Sequence, residues 1–149
     1  MSPAPATRRL YLAEPRALWL QRSPVVADCS ALAALIFEES AADEAAALLI
    51  GRALHAPTLL PYELASVASK KQRAGASQDW VDAALQVYAE QRIDLHPVPP
   101  EAAARLAARY SLSAYDAAYL WLAAALKAPL TTFDRKLAEA AARHMPTLD

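Results

Sequence analysis

The sequence predicts an α/β fold: a three-layer α/β/α sandwich around a short parallel sheet of four to five strands. Three observations carry that prediction. Short apolar runs without polar alternation, such as Val25-Val26-Ala27, read as strands buried on both faces. Longer segments with helical periodicity separate them, and strands alternating with helices pair in parallel through right-handed crossovers. Of 149 residues, 38 are alanine and only 2 are glycine, which favours helix and speaks against an all-β chain with many tight turns.

The elements follow in order. Residues 1–23 carry Arg8, Arg9, Arg16 and Arg22 against Glu14, and Pro3, Pro5 and Pro15 interrupt them, so they read as an extended arm. The domain then spans 24–149. Its first strand, Val25 to Ala27, ends in Asp28-Cys29-Ser30, and a helix follows through Leu32, Leu35 and Ile36. A second helix runs from about Ser40 to Ile50, with Asp43 and Glu44 in its first turn and Gly51 as its stop. Ala53-Leu54-His55-Ala56 is the second strand, closed by Pro57. Leu59 to about Ala74 reads as a helix with Pro61 in its first turn and Gly75 beyond its end. Ser77 caps a helix reaching about Arg92, with Trp80, Ala84, Val87 and Tyr88 on one stripe. Ile93 to His96 is the third strand. Pro99 or Pro100 opens a helix to Tyr110, and Ser113 opens the most apolar helix, to about Lys127. Pro129 to Thr132 is the fourth strand, Asp134 to Arg143 the last helix, and Pro146 to Leu148 a minor edge strand.

Composition removes several function classes. Setting alanine aside leaves 45 larger apolar residues, enough for one core. A net charge of -1 excludes a globally basic nucleic-acid binder, though not a local basic patch. The single Cys29 excludes a disulfide framework and a Cys-rich zinc site and fits a reducing compartment. No run of 18 apolar residues exists to span a membrane. Arg8-Arg9 is followed by Ala13-Glu14-Pro15-Arg16, which breaks any export signal, so the expected location is cytoplasmic.

Ligands of an open parallel sheet bind at the carboxyl ends of its strands. Those positions bring Asp28 after the first strand, Glu63 in the helix after the second, Asp116 early in the apolar helix, and Asp134 after the fourth. Each has a plain alternative. Ser113-Ala-Tyr-Asp116 has the spacing of a capping box, and so has Thr131-Thr-Phe-Asp134. Glu63 would favour a helix dipole, and Asp28 would cap the helix near Ser30. Taken together they are harder to explain as caps. Four converging carboxylates raise each other's pKa values, and a divalent cation removes the repulsion. An oxygen-only set suits Mg²⁺ or Mn²⁺ rather than zinc.

These segments resemble the motifs of the PIN-domain ribonucleases, and among them the VapC-type toxins of toxin–antitoxin pairs. Val25-Val26-Ala27-Asp28-Cys29-Ser30 is similar to their opening strand with Asp-x-Ser/Thr. The run Leu54 to Ser66 resembles a second motif, in which Glu63 is followed three residues later by Ser66. Leu112 to Ala123, around Asp116 and Tyr119, resembles the third, and Thr132-Phe-Asp134 with Leu137 the fourth. The likeness covers about residues 24 to 143. It implies a quartet of Asp28, Glu63, Asp116 and Asp134 holding Mg²⁺ or Mn²⁺, with Ser30, Thr132 and Ser66 in support. It also implies hydrolysis of RNA phosphodiesters, a homodimer and a small antitoxin partner. Arg135 and Lys136 stand where some members carry a further acid.

Lys70, Lys71 and Arg73 cluster at a helix end, where they complement the dipole or contact RNA phosphates; Arg135 and Lys136 are further candidates for RNA. His55, His96 and His144 are dispersed without ligand spacing and read as surface or satisfied core histidines. Cys29 reads as a buried, inert thiol, and Trp80, Tyr119 and Trp121 as packing or dimer-interface residues. Competing readings are a catalytically idle PIN-like binding module and a housekeeping PIN nuclease. A receiver or dehalogenase-like phosphatase fits poorly: the latter wants Asp-x-Asp, and Ser30 stands at that place.

Overall fold

The computed structural model describes residues 22–145. Residues 1–21 of the arm expected over 1–23, and the edge strand expected at Pro146 to Leu148, lie outside the described residues. The elements are β1 (Pro24–Ala27), α1 (Cys29–Ile36), α2 (Ala42–Leu49), β2 (Ala53–Pro57), α3 (Leu60–Arg73), α4 (Gln78–Ala89), β3 (Ile93–His96), α5 (Pro100–Tyr110), α6 (Ala114–Leu126), β4 (Leu130–Thr131) and α7 (Arg135–His144).

All four strands pair in parallel, in the order β3-β2-β1-β4. The chain steps outward from β1 to β2 to β3 through α1, α2, α3 and α4. It then returns across the sheet to β4 through α5 and α6. Right-handed crossovers running in opposite directions put their helices on opposite faces, which makes the three layers. Val25, Val26 and Ala27 are at most 1% exposed, as an unalternating apolar strand between two helical layers requires. β3 is one of the two edge strands, and its residues are only partly covered or exposed.

Side-chain oxygens begin four helices: Asp28 accepts from Ala31 N, Ser77 from Trp80 N, Ser113 from Asp116 N and Asp134 from Leu137 N. Two helix ends depart from the glycine rule. Ser111 and Lys127 close α5 and α6 in the left-handed region, at φ 55° and 51°. Two boundaries also differ from expectation. α4 stops at Ala89 rather than Arg92, because the chain must turn before entering β3 at Ile93. β4 is only two residues long, and Thr132 leaves the strand to bond toward β1.

Leu120, fully buried in α6, sits in the core with Leu32, Leu54, Leu60 and Leu64. Leu120→Ala is expected to lower unfolding free energy by about 2–5 kcal/mol through the cavity it leaves. Urea denaturation followed by circular dichroism measures this; a loss below about 1 kcal/mol would contradict the assignment of that residue to a packed core.

Candidate active site

β1 leads on one side to β2, while its other neighbour, β4, arrives from the far edge of the sheet. The crevice beyond the carboxyl ends of β1 and β4 is therefore the switch point of this sheet. Asp28 leaves β1 there and is 4% exposed. Its backbone N–H donates to Thr131 O at 3.1 Å, tying the two strand ends together. Its Oδ1 accepts from Ser30 Oγ at 2.7 Å and from Ala31 N at 3.0 Å, and its Oδ2 accepts from Thr132 Oγ1. Ser30 Oγ in turn accepts from Phe133 N at 2.8 Å, and Thr132 Oγ1 from Asp134 N at 3.0 Å. Each hydroxyl has one proton, and both protons go to Asp28. The 3.5 Å approach of the two hydroxyls is thus a contact rather than a further bond.

Asp28 therefore does cap a helix, as its plain reading required, and it also faces the crevice. Burial raises its pKa above the ordinary carboxylate value, and the charge of Asp134 adds to this; the bonds from Thr132, Ser30 and Ala31 oppose the rise without cancelling it. Glu63, in the first turn of α3, is raised by burial and by Asp116 and Asp28. Its Oε1 accepts from Tyr119 Oη at 2.7 Å. Asp116 is raised by burial and then by Asp134 and Asp28, with Ser113 and Lys136 opposing. Asp134 is exposed and is itself the cap of α7. The spacing had suggested Thr131 as that cap, but Thr131 is buried in β4.

The structure thus brings Asp28, Glu63, Asp116 and Asp134 into one electrostatic neighbourhood from four separate segments. The ion pairs among the described residues, Lys71–Glu39, His96–Asp94 and Arg135–Glu139, leave all four out. Three carboxylates at least partly buried and raised above their ordinary values, with the exposed Asp134 beside them, form an oxygen donor set that fits a hard divalent cation. The four are near one another without being closed to ligation distance. Among the described residues, only His55, Asp94 and His96 hold three such ligand atoms within 4.8 Å of each other.

A PIN domain model matches residues 25–143. The chain belongs to the PIN-domain family. Ribonuclease VapC9 of Mycobacterium tuberculosis is 31% identical over 125 residues, covering 82% of this chain and 94% of that protein. Ribonuclease VapC3 of the same species is 34% identical over 118 residues, covering 78% and 86%. Ribonuclease VapC3 of Pyrobaculum aerophilum is 30% identical over 121 residues, covering 77% and 92%. The crystal structure of PAE2754 from Pyrobaculum aerophilum superposes with a TM-score of 0.64 at 25% identity, covering 80% of this chain and 87% of that one.

Beside the carboxylates, this PIN domain has a cleft of about 690 Å³ lined by Cys29, Tyr62, Glu63, Ser66, Lys70 and Tyr115, among others. Ser66 and Lys70 are exposed on it. Lys71 is turned elsewhere: its Nζ lies 3.9 Å from Glu39 and 5.2 Å from the centre of the Phe37 ring. Arg73 and Lys136 are exposed, and Arg135 pairs with Glu139 at 3.1 Å. Burial, followed by the charges of Glu63, Asp28 and Glu39, pushes the Cys29 thiol up to about 12, so it stays a thiol at neutral pH.

Two expectations change here. Tyr119, read as packing, is 1% exposed but aims its hydroxyl at Glu63. The signal was present: Tyr119 stands three residues after Asp116 and so shares its helix face. His55 and His96, read as dispersed, meet across β2 and β3 with Nδ1 of one 2.8 Å from Nε2 of the other. His144 holds to its reading, with Nδ1 2.9 Å from Tyr110 Oη. Among the described residues, no helix is long and apolar enough to cross a membrane.

Proposed function

We propose that this chain is a VapC-type toxin: a cytoplasmic endoribonuclease that uses Mg²⁺ or Mn²⁺ to hydrolyse RNA phosphodiesters and is held in check by a small antitoxin protein. The observation that carries the reading is the meeting of four carboxylates at the β1–β4 switch point, in a chain whose relatives bear the name VapC ribonuclease. Asp28, Glu63, Asp116 and Asp134 would hold the cation, which when bound supplies Lewis acidity and an activated water.

The chain's own residues set the rest. Ser30 and Thr132 fix both oxygens of Asp28, so the carboxylate cannot turn away from the crevice. Tyr119 fixes Glu63 in the same manner. Lys70, on the cleft beside Ser66 and Glu63, would take a backbone phosphate, and Tyr62 and Tyr115 on the same cleft would offer rings for unpaired bases. Arg73 and Lys136 extend the cationic rim, while Lys71 and Arg135 do so only by giving up Glu39 and Glu139. A homodimer would double that rim.

The test is cleavage of a structured single-stranded RNA by the purified chain with and without Mg²⁺ or Mn²⁺, beside growth on expression with and without the small gene neighbouring its own. Metal-dependent cleavage and growth arrest relieved by the neighbour support the proposal. Cleavage without arrest marks a housekeeping nuclease. RNA binding without cleavage marks an idle module and ends the proposal.

Tyr119→Phe removes one hydroxyl and leaves the ring in the core. It is expected to lower cleavage and Mg²⁺ affinity by about 10–100-fold, as loss of an orienting partner does, with the circular dichroism spectrum unchanged. Unaltered Mg²⁺ affinity by calorimetry would show that Glu63 needs no such support.

A further inference from the structure

The contact between His55 and His96 lies outside the proposed nuclease site. β2 and β3 pair in a register that sets His55 opposite Asp94 and Pro57 opposite His96. Paired residues on neighbouring strands share a face, and so do residues two apart on one strand. His55, Asp94 and His96 therefore stand together on one face at the outer edge of the sheet. β3 is two strands from β1, about 10 Å away.

The distances are those of a chelate. His55 Nδ1 lies 2.8 Å from His96 Nε2. His96 Nε2 lies 3.9 Å from Asp94 Oδ2. All three ligand atoms fall within 4.8 Å of one another. Bonds from imidazole nitrogen to a divalent ion are about 2.0–2.1 Å, which places two neighbouring nitrogens about 2.9 Å apart at right angles and about 3.4 Å apart around a tetrahedral ion. To seat a tetrahedral ion the two nitrogens part by about half an ångström and the carboxylate closes on His96 by about as much. The site is also open: the side chains of His96 and Asp94 are 27% and 54% exposed, so solvent or a further ligand reaches it.

The donor set decides the ion. Two imidazoles and one carboxylate suit borderline ions such as Zn²⁺, Ni²⁺ or Cu²⁺, whereas the oxygen-only quartet suits Mg²⁺ or Mn²⁺. We propose that His55, Asp94 and His96 form a second metal site, selective for borderline transition ions, that clamps the edge strand β3 to β2. Binding there joins segments 41 residues apart in the chain and stabilises the folded state by mass action.

The experiment is a Zn²⁺ titration of the untagged full chain in excess Mg²⁺, followed by the imidazole nitrogen resonances of its three histidines. The expected result is that the His55 and His96 nitrogens shift together and saturate at one equivalent, while those of His144 stay still. His96→Gln, at a partly exposed ligand, should weaken Zn²⁺ binding at least tenfold, and Asp28→Asn should leave it unchanged. The proposal is overturned if the His55 and His96 nitrogens do not move at one equivalent, if all three histidines shift alike, or if His96→Gln binds Zn²⁺ as tightly as the parent. The last two outcomes would leave the His55–His96 contact a simple hydrogen bond. None of these readouts depends on RNA cleavage.

Discussion

Asp28→Asn is expected to lower RNA cleavage by about 10²–10³-fold, because a lost ligand to a catalytic cation removes several kcal/mol of charge stabilisation and each 1.4 kcal/mol is tenfold in rate. The fold should survive. Asparagine caps helices as well as aspartate does, so its Oδ1 keeps the bonds from Ala31 N and Ser30 Oγ. The new amide faces Thr132 Oγ1, which already accepts from Asp134 N and has a second lone pair to offer. Burial holds the parent carboxyl above its ordinary value, which marks the charged form as disfavoured in the folded chain. The metal-free variant should therefore melt no lower than the parent at neutral pH. Single-turnover cleavage and a thermal melt on the same sample separate the two effects. A rate within threefold of the parent would remove Asp28 from the site, and a collapsed melt would show that the amide does not replace the oxygen that accepts from Thr132 Oγ1.

How far the residues announced this arrangement varies with the range of the interaction. β1 was legible because Val25-Val26-Ala27 has no polar alternation, and local sequence decides that. The caps were legible at Ser77 and Ser113 for the same reason. At Asp134 the local signal misled. Thr131-x-x-Asp134 and Asp134-x-x-Leu137 both place a capping oxygen three residues before a candidate N–H, and only the pairing of Thr131 with Ala27 across the sheet decides between them. The left-handed ends at Ser111 and Lys127 carry no glycine to mark them. Tyr119 and Glu63 are 56 residues apart, and His55 and His96 are 41 apart. No spacing rule links such pairs; strand register and helix placement create them. The four carboxylates could be singled out in the sequence because each follows an element boundary, and boundaries are local. The hydrogen bonds that orient them are not.

Chelating the divalent ion is expected to abolish cleavage and to lower the melting temperature, by an amount that grows with pH. Asp28, Glu63 and Asp116 all lie above their ordinary values in the metal-free chain, each chiefly through burial. A group raised on folding contributes stability that is complete below its unfolded pKa and disappears as pH climbs through the folded one. These three therefore favour the metal-free fold at about pH 4 and withdraw that support toward neutrality. A bound cation reverses the sign, since it binds the ionised carboxylates and releases their protons. At a hundredfold excess over its dissociation constant a ligand adds about 2.7 kcal/mol, or roughly 5–10 °C for a chain of this length. Melts with saturating MgCl₂ and with chelator, at about pH 5 and about pH 8, should show a gap that is small at the lower pH and widens at the higher. Asp134→Asn supplies the contrast. Its carboxylate is exposed, so the variant should lose part of the Mg²⁺-dependent gain while the metal-free melts keep the pH trend of the parent. A gap of equal size at both pH values would show that the cation is not held by the buried carboxylates at the β1–β4 switch point.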